Sequence, residues 1–356
     1  PAESGRRGRV ACGALGAALA GSLAGAGWLA SRGSRLLLGM HTRGVAVLVL
    51  LLWPTLELFE LQVRLRRRRL RPRRIILVRH GQSVGNVDST IYQRTPDSLI
   101  ELTERGHEQG RQAGEQIRKL IGDESVRFFF SPYMRTRQTL LAILEAFKQR
   151  PVQLTSEPRL REQDFGNFQD PEAMQKVYKD RQKFGRFYYR FPNGEAGTDV
   201  YDRVCDFWST LYRFMDFPHD DRQVENFVLV THGLLMRIFC MSYLRWTVLE
   251  FDQVWNPSNC EIWVLEKKKH LGRYRLAGSW QGSSFGPIKF GCDKDQPLYD
   301  HMRETQSARE IVPGTPGFMD DPMLAHLKMA SSFGSWEGES QGDGGGELGG
   351  EKSDLH

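Results

Sequence analysis

Two short apolar runs in this chain end in the same way. Ile75-Ile-Leu-Val78 leads into Arg79-His80-Gly81, and Phe227-Val-Leu-Val230 leads into Thr231-His232-Gly233. A continuous apolar run of this length, closed by a turn, reads as a strand buried on both faces, as in the interior of a parallel sheet. Each run therefore sets a histidine at the carboxyl end of an interior strand, and each glycine lets the backbone turn sharply behind it. Phe128 to Phe130 and Ile262 to Leu265 have the same character. Between the runs lie segments of helical period. Thr103 is placed to cap a helix carrying Ala113, Ile117, Leu120 and Ile121 on one face. Thr198 is placed to cap another, carrying Val204, Phe207, Trp208, Leu211 and Met215. The alternation predicts an α/β fold, with a largely parallel central sheet flanked by helices on both faces. In such sheets chemistry collects at the carboxyl ends of the strands. Neighbouring positions for the two histidine-bearing strands would turn both imidazoles into one crevice.

The 356 residues divide by composition into three regions. Residues 1–73 resemble no globular domain. Val10 to Ala30 is rich in Ala, Gly and Leu, and Gly44 to Val63 has a dense apolar centre, Val45 to Trp53, followed by Pro54, Glu57 and Glu60. Spanning a bilayer takes roughly 20 apolar residues. Eight arginines and no acid follow between Arg64 and Arg74, more than the net charge of +6 for the whole chain. The positive charge is thus local, and a broad basic surface for nucleic acid is not indicated. By the positive-inside rule, residues 44–63 are expected to associate with a membrane, leaving the following domain facing the cytosol. An alternative reading takes the arginine-containing, acid-poor start as a plastid or mitochondrial transit peptide. Residues 74–303 form the expected catalytic domain. Residues 304–356 lose the rhythm, and Ser331 to His356, rich in Gly, Ser and acids, read as a disordered tail. The five cysteines are scattered and odd in number, which argues against a disulfide framework and a zinc site.

The chemistry follows from which residues the strand ends deliver. Phe128 to Phe130 runs into Ser131-Pro-Tyr-Met-Arg135-Thr-Arg-Gln-Thr139, and Leu160-Arg-Glu162-Gln-Asp-Phe-Gly166 supplies a carboxylate on a loop. A phosphoryl dianion suits fork-shaped cationic donors, here Arg79 and Arg135. A neutral imidazole held in line attacks phosphorus, a second stabilises charge on the equatorial oxygens, and a protonated glutamic acid supplies the leaving oxygen with its proton. No metal or cofactor is required.

Arg79-His80-Gly81 with Asn86, then Ser131, Arg135 and Thr139, then Glu162, then Thr231-His232-Gly233, resemble the histidine phosphatase, or phosphoglycerate mutase-like, superfamily in the expected order. The resemblance covers nearly all of residues 74–266. It implies the phosphoglycerate mutase-like fold, with His80 as the phosphorylated nucleophile. It also implies a phosphate pocket of Arg79, Asn86, Arg135 and His232, with Gly81 and Gly233 beside it and Glu162 as proton donor. Leu102-Thr-Glu-Arg-Gly106 and Pro192-Asn-Gly-Glu195 resemble family loops at the pocket, which implies a substrate contact for Glu195; Ala196 stands where many members have serine. The stretch from Ile75 to Asp88 and Thr95-Pro-Asp97 resemble the plant and fungal branch that includes broad-range acid phosphatases. Mutases usually carry tryptophan where this chain has Gly85, so the resemblance favours hydrolysis of a phosphorylated small molecule or phosphoprotein over isomerisation. A catalytically silent scaffold for phosphorylated partners would be expected to lack one of these residues, and none is missing.

Outside the motifs, Arg137 is expected to point away from the pocket, and His107, His219, His270, His301 and His326 to lie at the surface. The cluster Phe184, Phe187, Tyr188, Tyr189 and Phe191, interleaved with Arg181, Lys183, Arg186 and Arg190, reads first as an amphipathic helix packed on the sheet. The sharper reading is a lid whose arginines hold an anionic substrate.

Overall fold

The structure, a computed structural model, describes residues 35–216, 223–268, 272–290 and 298–305, with the backbone alone at 35–52 and 171. The chain divides into two units, Pro1–Arg67 and Arg68–His356. What is described of the first is helix α1, Arg35–Leu70, which carries Pro54 in its interior and runs just past the boundary. Trp53, Leu56, Leu58, Phe59 and Leu61 are exposed along it. Among the described residues no helix is long and apolar enough to cross a membrane, so the expected bilayer association of residues 44–63 finds no support there. The stretch Val10 to Ala30 and the acidic tail lie outside the described residues.

The second unit is built on a seven-stranded sheet in the order β3-β2-β4-β1-β5-β6-β7. Its strands are β1 (Arg74–Arg79), β2 (Val126–Phe130), β3 (Gln153–Ser156), β4 (Asn226–Thr231), β5 (Ile262–Lys267), β6 (Tyr274–Trp280) and β7 (Phe285–Gly286). Strands β3, β2, β4 and β1 run parallel, while β5, β6 and β7 extend the sheet antiparallel. Three of these strands, β3, β6 and β7, carry no continuous apolar run, and their sequences did not announce them. The edge strand β3 alternates half-buried and exposed residues.

Side chains alternate across the sheet and divide the core in two. Ile76, Val78, Phe128, Val228 and Val230 face α3 (Glu104–Ile121) and α4 (Met134–Leu144), packing against Ala113, Ile117, Ile121, Leu140 and Ile143. Ile75, Leu77, Phe129, Phe227 and Leu229 face the other way, against α6 (Gly197–Asp216) and α7 (Gly233–Leu244). Each such fully buried Leu, Ile, Val or Phe contributes about 1.5–3 kcal/mol relative to exposure. Helix α7 is buried along nearly its whole length, as its apolar composition all round demands. The unit reaches Met302, which is fully buried and whose carbonyl accepts from the Trp246 indole at 2.6 Å.

Two helix starts are instructive. Thr103 caps α3 as its sequence indicates, accepting from the Gly106 amide at 3.1 Å. Thr198 does not cap α6: the helix already begins at Gly197, and the Asp199 carboxylate reaches back to the Ala196 amide at 2.8 Å.

Register then sets the site. Arg79 stands opposite Thr231, and Phe130 opposite Val230, so β1, β4 and β2 end at one level. The connection after β1 covers one face through α3, and the chain after β4 covers the other through α7. Helices thus diverge between two adjacent parallel strands, the switch point at which open α/β sheets bind ligands.

Candidate active site

His80 and His232 leave β1 and β4 side by side, their ring centroids 5.3 Å apart at 61°. Both are buried, at 4% and 0% exposure. The His80 Nδ1 donates to the Gly81 carbonyl at 2.7 Å, which puts the proton on Nδ1 and leaves Nε2 with its lone pair. Burial first, then the charges of Arg135 and Arg79, holds its pKa well below the ordinary value. His80 is therefore a neutral imidazole. His232 shares a 2.9 Å hydrogen bond with the Ser131 hydroxyl through Nε2, and its buried Nδ1 has no partner among the described residues. Burial, Arg135 and His80 likewise hold its pKa well down.

The glycine after His80 permits a close approach. A Cβ on Gly81 would meet the Gly106 carbonyl, and one on Gly106 would meet the Gln82 carbonyl. The Leu102-to-Gly106 motif is thereby explained: Thr103 caps α3 while Gly106 lets its first turn abut the nucleophile loop. The Gly81 amide donates to Thr139 Oγ1 at 3.0 Å, and that hydroxyl donates to the Arg135 carbonyl at 2.7 Å, tying β1 to the first turn of α4.

A cavity, partly open to solvent, is lined by Arg79, His80, Asn86, Tyr92, Asp97, Arg135, Glu162, Phe165 and Gln169. Five of the expected site residues meet there: His80, Arg79, Arg135, Asn86 and Glu162. Arg79 is anchored by a 2.7 Å bond to the Pro257 carbonyl. Asn86 lies in α2 (Val84–Val87). Its Oδ1 accepts from the Ser83 amide and hydroxyl and from the Asn259 amide, at 3.0, 3.1 and 3.2 Å. Three donors identify that atom as oxygen, so its Nδ2 is the group left to donate. Glu162 is buried, and burial raises its pKa against the pull of Arg135, the Gln163 amide and Arg79. A carboxyl so placed favours keeping its proton.

His232 and Gly233 are not among the lining residues, although the His232 ring lies beside that of His80. A Cβ at Gly233 would lie 3.3 Å from Asn256 Oδ1 and 3.4 Å from Arg79 Nε. Glu195 is not a lining residue either. Its carboxylate pairs with Arg161 and, at 3.0 Å, with Arg203, and accepts from the Asp164 amide at 3.1 Å. Arg203 also donates to the carbonyls of Arg159, Arg161 and Glu162. Glu195 thus holds the loop that presents Glu162.

The aromatic cluster also departs from expectation. Helix α5 (Pro171–Phe184) stops at Gly185, whose φ of 103° ends it, so residues 185–191 do not continue the amphipathic helix. Phe187 packs on Phe251, and Phe191 packs edge-on against the cavity residue Phe165 at 4.8 Å. Arg190 pairs with Asp199, and Arg186 is exposed. Arg137 and His301 are exposed as well, while His107 is half-buried; His219, His270 and His326 lie outside the described residues.

Among the lining residues Tyr92 and Gln169 stand in no sequence motif, and Asp97 closes Thr95-Pro-Asp97, a stretch with no expected role at the pocket. A signal existed for the first. A Cβ on Gly85 would come within 2.5 Å of the Tyr92 hydroxyl, so the glycine standing where mutases carry tryptophan is the space Tyr92 occupies. Burial raises the Tyr92 pKa, which keeps the phenol protonated. Among the described residues no group of three His, Cys, Asp or Glu could hold a metal ion. Cys205, Cys240 and Cys260 are free thiols, and Cys12 and Cys292 lie outside the described residues.

Comparison with known proteins identifies the family. The family model of the histidine phosphatase superfamily, branch 1, matches residues 75–278. The phosphoglycerate mutase-like protein AT74H of Arabidopsis thaliana is 45% identical over 212 residues, covering 56% of this chain and 75% of that protein. The broad-range acid phosphatase DET1 of Saccharomyces cerevisiae is 33% identical over 296 residues, covering 58% of this chain and 89% of that one. A solved structure, the open reading frame Rv3214 from Mycobacterium tuberculosis, aligns with a TM-score of 0.46 at 21% identity, over 59% of this chain and 98% of its own. The chain belongs to the histidine phosphatase superfamily, branch 1.

Proposed function

We propose that this chain hydrolyses phosphate monoesters through a phosphohistidine on His80, without a metal ion. The observation that carries the reading is the Nδ1 bond of His80 to the Gly81 carbonyl, which leaves a neutral Nε2 among Arg79, Arg135 and Asn86. In the first step Nε2 attacks phosphorus in line, and the P–O bond to the alcohol breaks. Glu162 gives its proton to the departing oxygen. In the second step the Glu162 carboxylate takes a proton from water, whose oxygen attacks phosphorus; the P–N bond breaks, releasing phosphate and restoring both residues. Arg79, Arg135 and the Asn86 amide hold the equatorial oxygens throughout. His232 contributes an N–H from Nδ1 when Ser131 donates to its Nε2. The two arginines and the neutral imidazole lining the cavity suit a phosphoryl group.

The test is phosphate release by the full chain from a panel of phosphomonoesters, 3-phosphoglycerate among them, beside a His80→Ala variant. Release by the wild type and none by the variant is the expected result. An isomerised phosphoglycerate without free phosphate would replace the hydrolase with a mutase.

A further inference from the structure

Asp97 has no part in the steps above, yet it lies against the residue that binds phosphate in them. Its carboxylate meets the end of the Arg135 guanidinium, Oδ1 accepting from Nη1 at 2.6 Å and Oδ2 from Nη2 at 3.2 Å. Its backbone carbonyl accepts from Nη1 as well, at 2.7 Å. The Arg135 side chain is 4% exposed, and its Cζ lies over the Tyr133 ring, 5.0 Å from the centroid.

A guanidinium has five N–H donors in one plane. Asp97 takes both hydrogens of Nη1 and one of Nη2. The Nε–H and the second Nη2–H have no acceptor among the described residues. Those two lie on the same edge of the plane and form a second fork, in the residue that lines the cavity with His80 and Glu162. One fork is filled by protein and the other is left for a ligand oxygen pair.

We infer that Asp97 is a positioning residue: by filling the end-on fork of Arg135, it turns the side-on fork toward the phosphoryl group. The opposite relation would make Asp97 an internal stand-in for phosphate, competing for the fork the ligand needs. The geometry favours the first, because the fork Asp97 occupies is not the one that is open. Asp97 comes from a different segment than Arg135, the 3₁₀ turn Asp97–Leu99, so the phosphate pocket depends on a loop outside the strand-end motifs.

The inference rests on the hydrolase reading for its activity arm, and a binding arm separates the two. Calorimetry measures inorganic phosphate on the full chain for wild type, Asp97→Ala and the isosteric Asp97→Asn, with thermal unfolding as the folding control. A freed guanidinium swings between rotamers, and the loss of a charge-assisted contact weakens phosphate binding roughly tenfold or more in Asp97→Ala. The kcat/KM for p-nitrophenyl phosphate falls in parallel. Added formate, which can fill the vacated fork, restores part of the binding and rate in Asp97→Ala and none in Asp97→Ala/Arg135→Ala. A lost fold would move the melting temperature and would not answer to formate. Tighter phosphate binding in Asp97→Ala would establish the competitor instead, and unchanged binding in both variants would overturn the assignment. A wild-type chain that binds phosphate but releases none from esters would fail the hydrolase reading and leave the binding comparison standing; one that binds no phosphate would overturn both.

Discussion

Replacing Arg203 with methionine removes a guanidinium whose five N–H groups are all used. Nε and Nη2 bond to the Glu195 carboxylate at 3.2 and 3.0 Å, Nη1 to the carbonyls of Arg159 and Arg161 at 2.6 and 2.8 Å, and Nη2 to the Glu162 carbonyl at 3.0 Å. Its side chain is 9% exposed and that of Glu195 14%, so water replaces these bonds poorly. Glu195 keeps Arg161 as a partner, whereas three carbonyls lose a charged donor. Taking one member from a buried, hydrogen-bonded pair costs about 3–5 kcal/mol. For a domain of this size that lowers Tm by roughly 6–20 °C. Because the loop so released presents Glu162, kcat falls roughly 10- to 100-fold, the effect of misplacing a catalytic group by about 1 Å. The KM shifts less, since Arg79, Arg135 and Asn86 are held elsewhere. Thermal unfolding and steady-state kinetics on Arg203→Met are the assays. A Tm within about 2 °C of wild type, or a rise in KM with kcat intact, would refute the reasoning.

Two further outcomes follow from the same geometry. Gly85→Trp must expel the Tyr92 ring from the cavity wall; kcat/KM for small phosphomonoesters falls, and adding Tyr92→Ala restores part of the fold stability, which denaturant titration of the two variants checks. The depressed histidines predict acid sensitivity. Above the ordinary pKa of 6.5 folded and unfolded chains are both neutral at His80 and His232, but below it the unfolded chain takes up two protons that the folded one refuses. Each histidine then costs about 1.4 kcal/mol per pH unit. Glu162, with its raised pKa, favours the folded state fully only below its ordinary value of 4.5, so it offsets at most one of the two protons above that point. Stability by urea titration should therefore fall by about 1.4–2.7 kcal/mol per unit from pH 6.5 toward 5 in phosphate-free buffer. His80→Asn should lessen the slope, and a flat profile would contradict the burial of both rings.

The strand ends were the legible part of this chain. Ile75 to Val78 and Phe227 to Val230 are apolar on both faces because both faces are covered, and the polar residues that follow them have no structural reason to recur so regularly. Strands β3, β6 and β7 were hidden because an edge or half-covered strand needs no continuous apolar run. Tyr92, Asp97 and Gln169 were hidden for another reason: irregular loops carry no period, and their partners Gly85 and Arg135 lie elsewhere in the chain. Glu195 shows the converse. A carboxylate in a pocket-like motif reads as a ligand contact, and only the fold reveals that Arg161 and Arg203 hold it. Local propensity failed at residues 184–191, where Gly185 stops α5 and Phe187 and Phe191 are claimed by separate packing partners.

The most direct test of the account is to trap the covalent intermediate. The full chain is mixed with a ³²P-labelled phosphomonoester, quenched in alkali within a fraction of a turnover, and the label mapped by proteolysis. The account predicts up to one phosphoryl group per chain on the peptide containing His80, stable to alkali and lost in acid as a phosphoramidate is, and absent from His80→Ala. Label on any other residue, or turnover retained by His80→Ala, would contradict it.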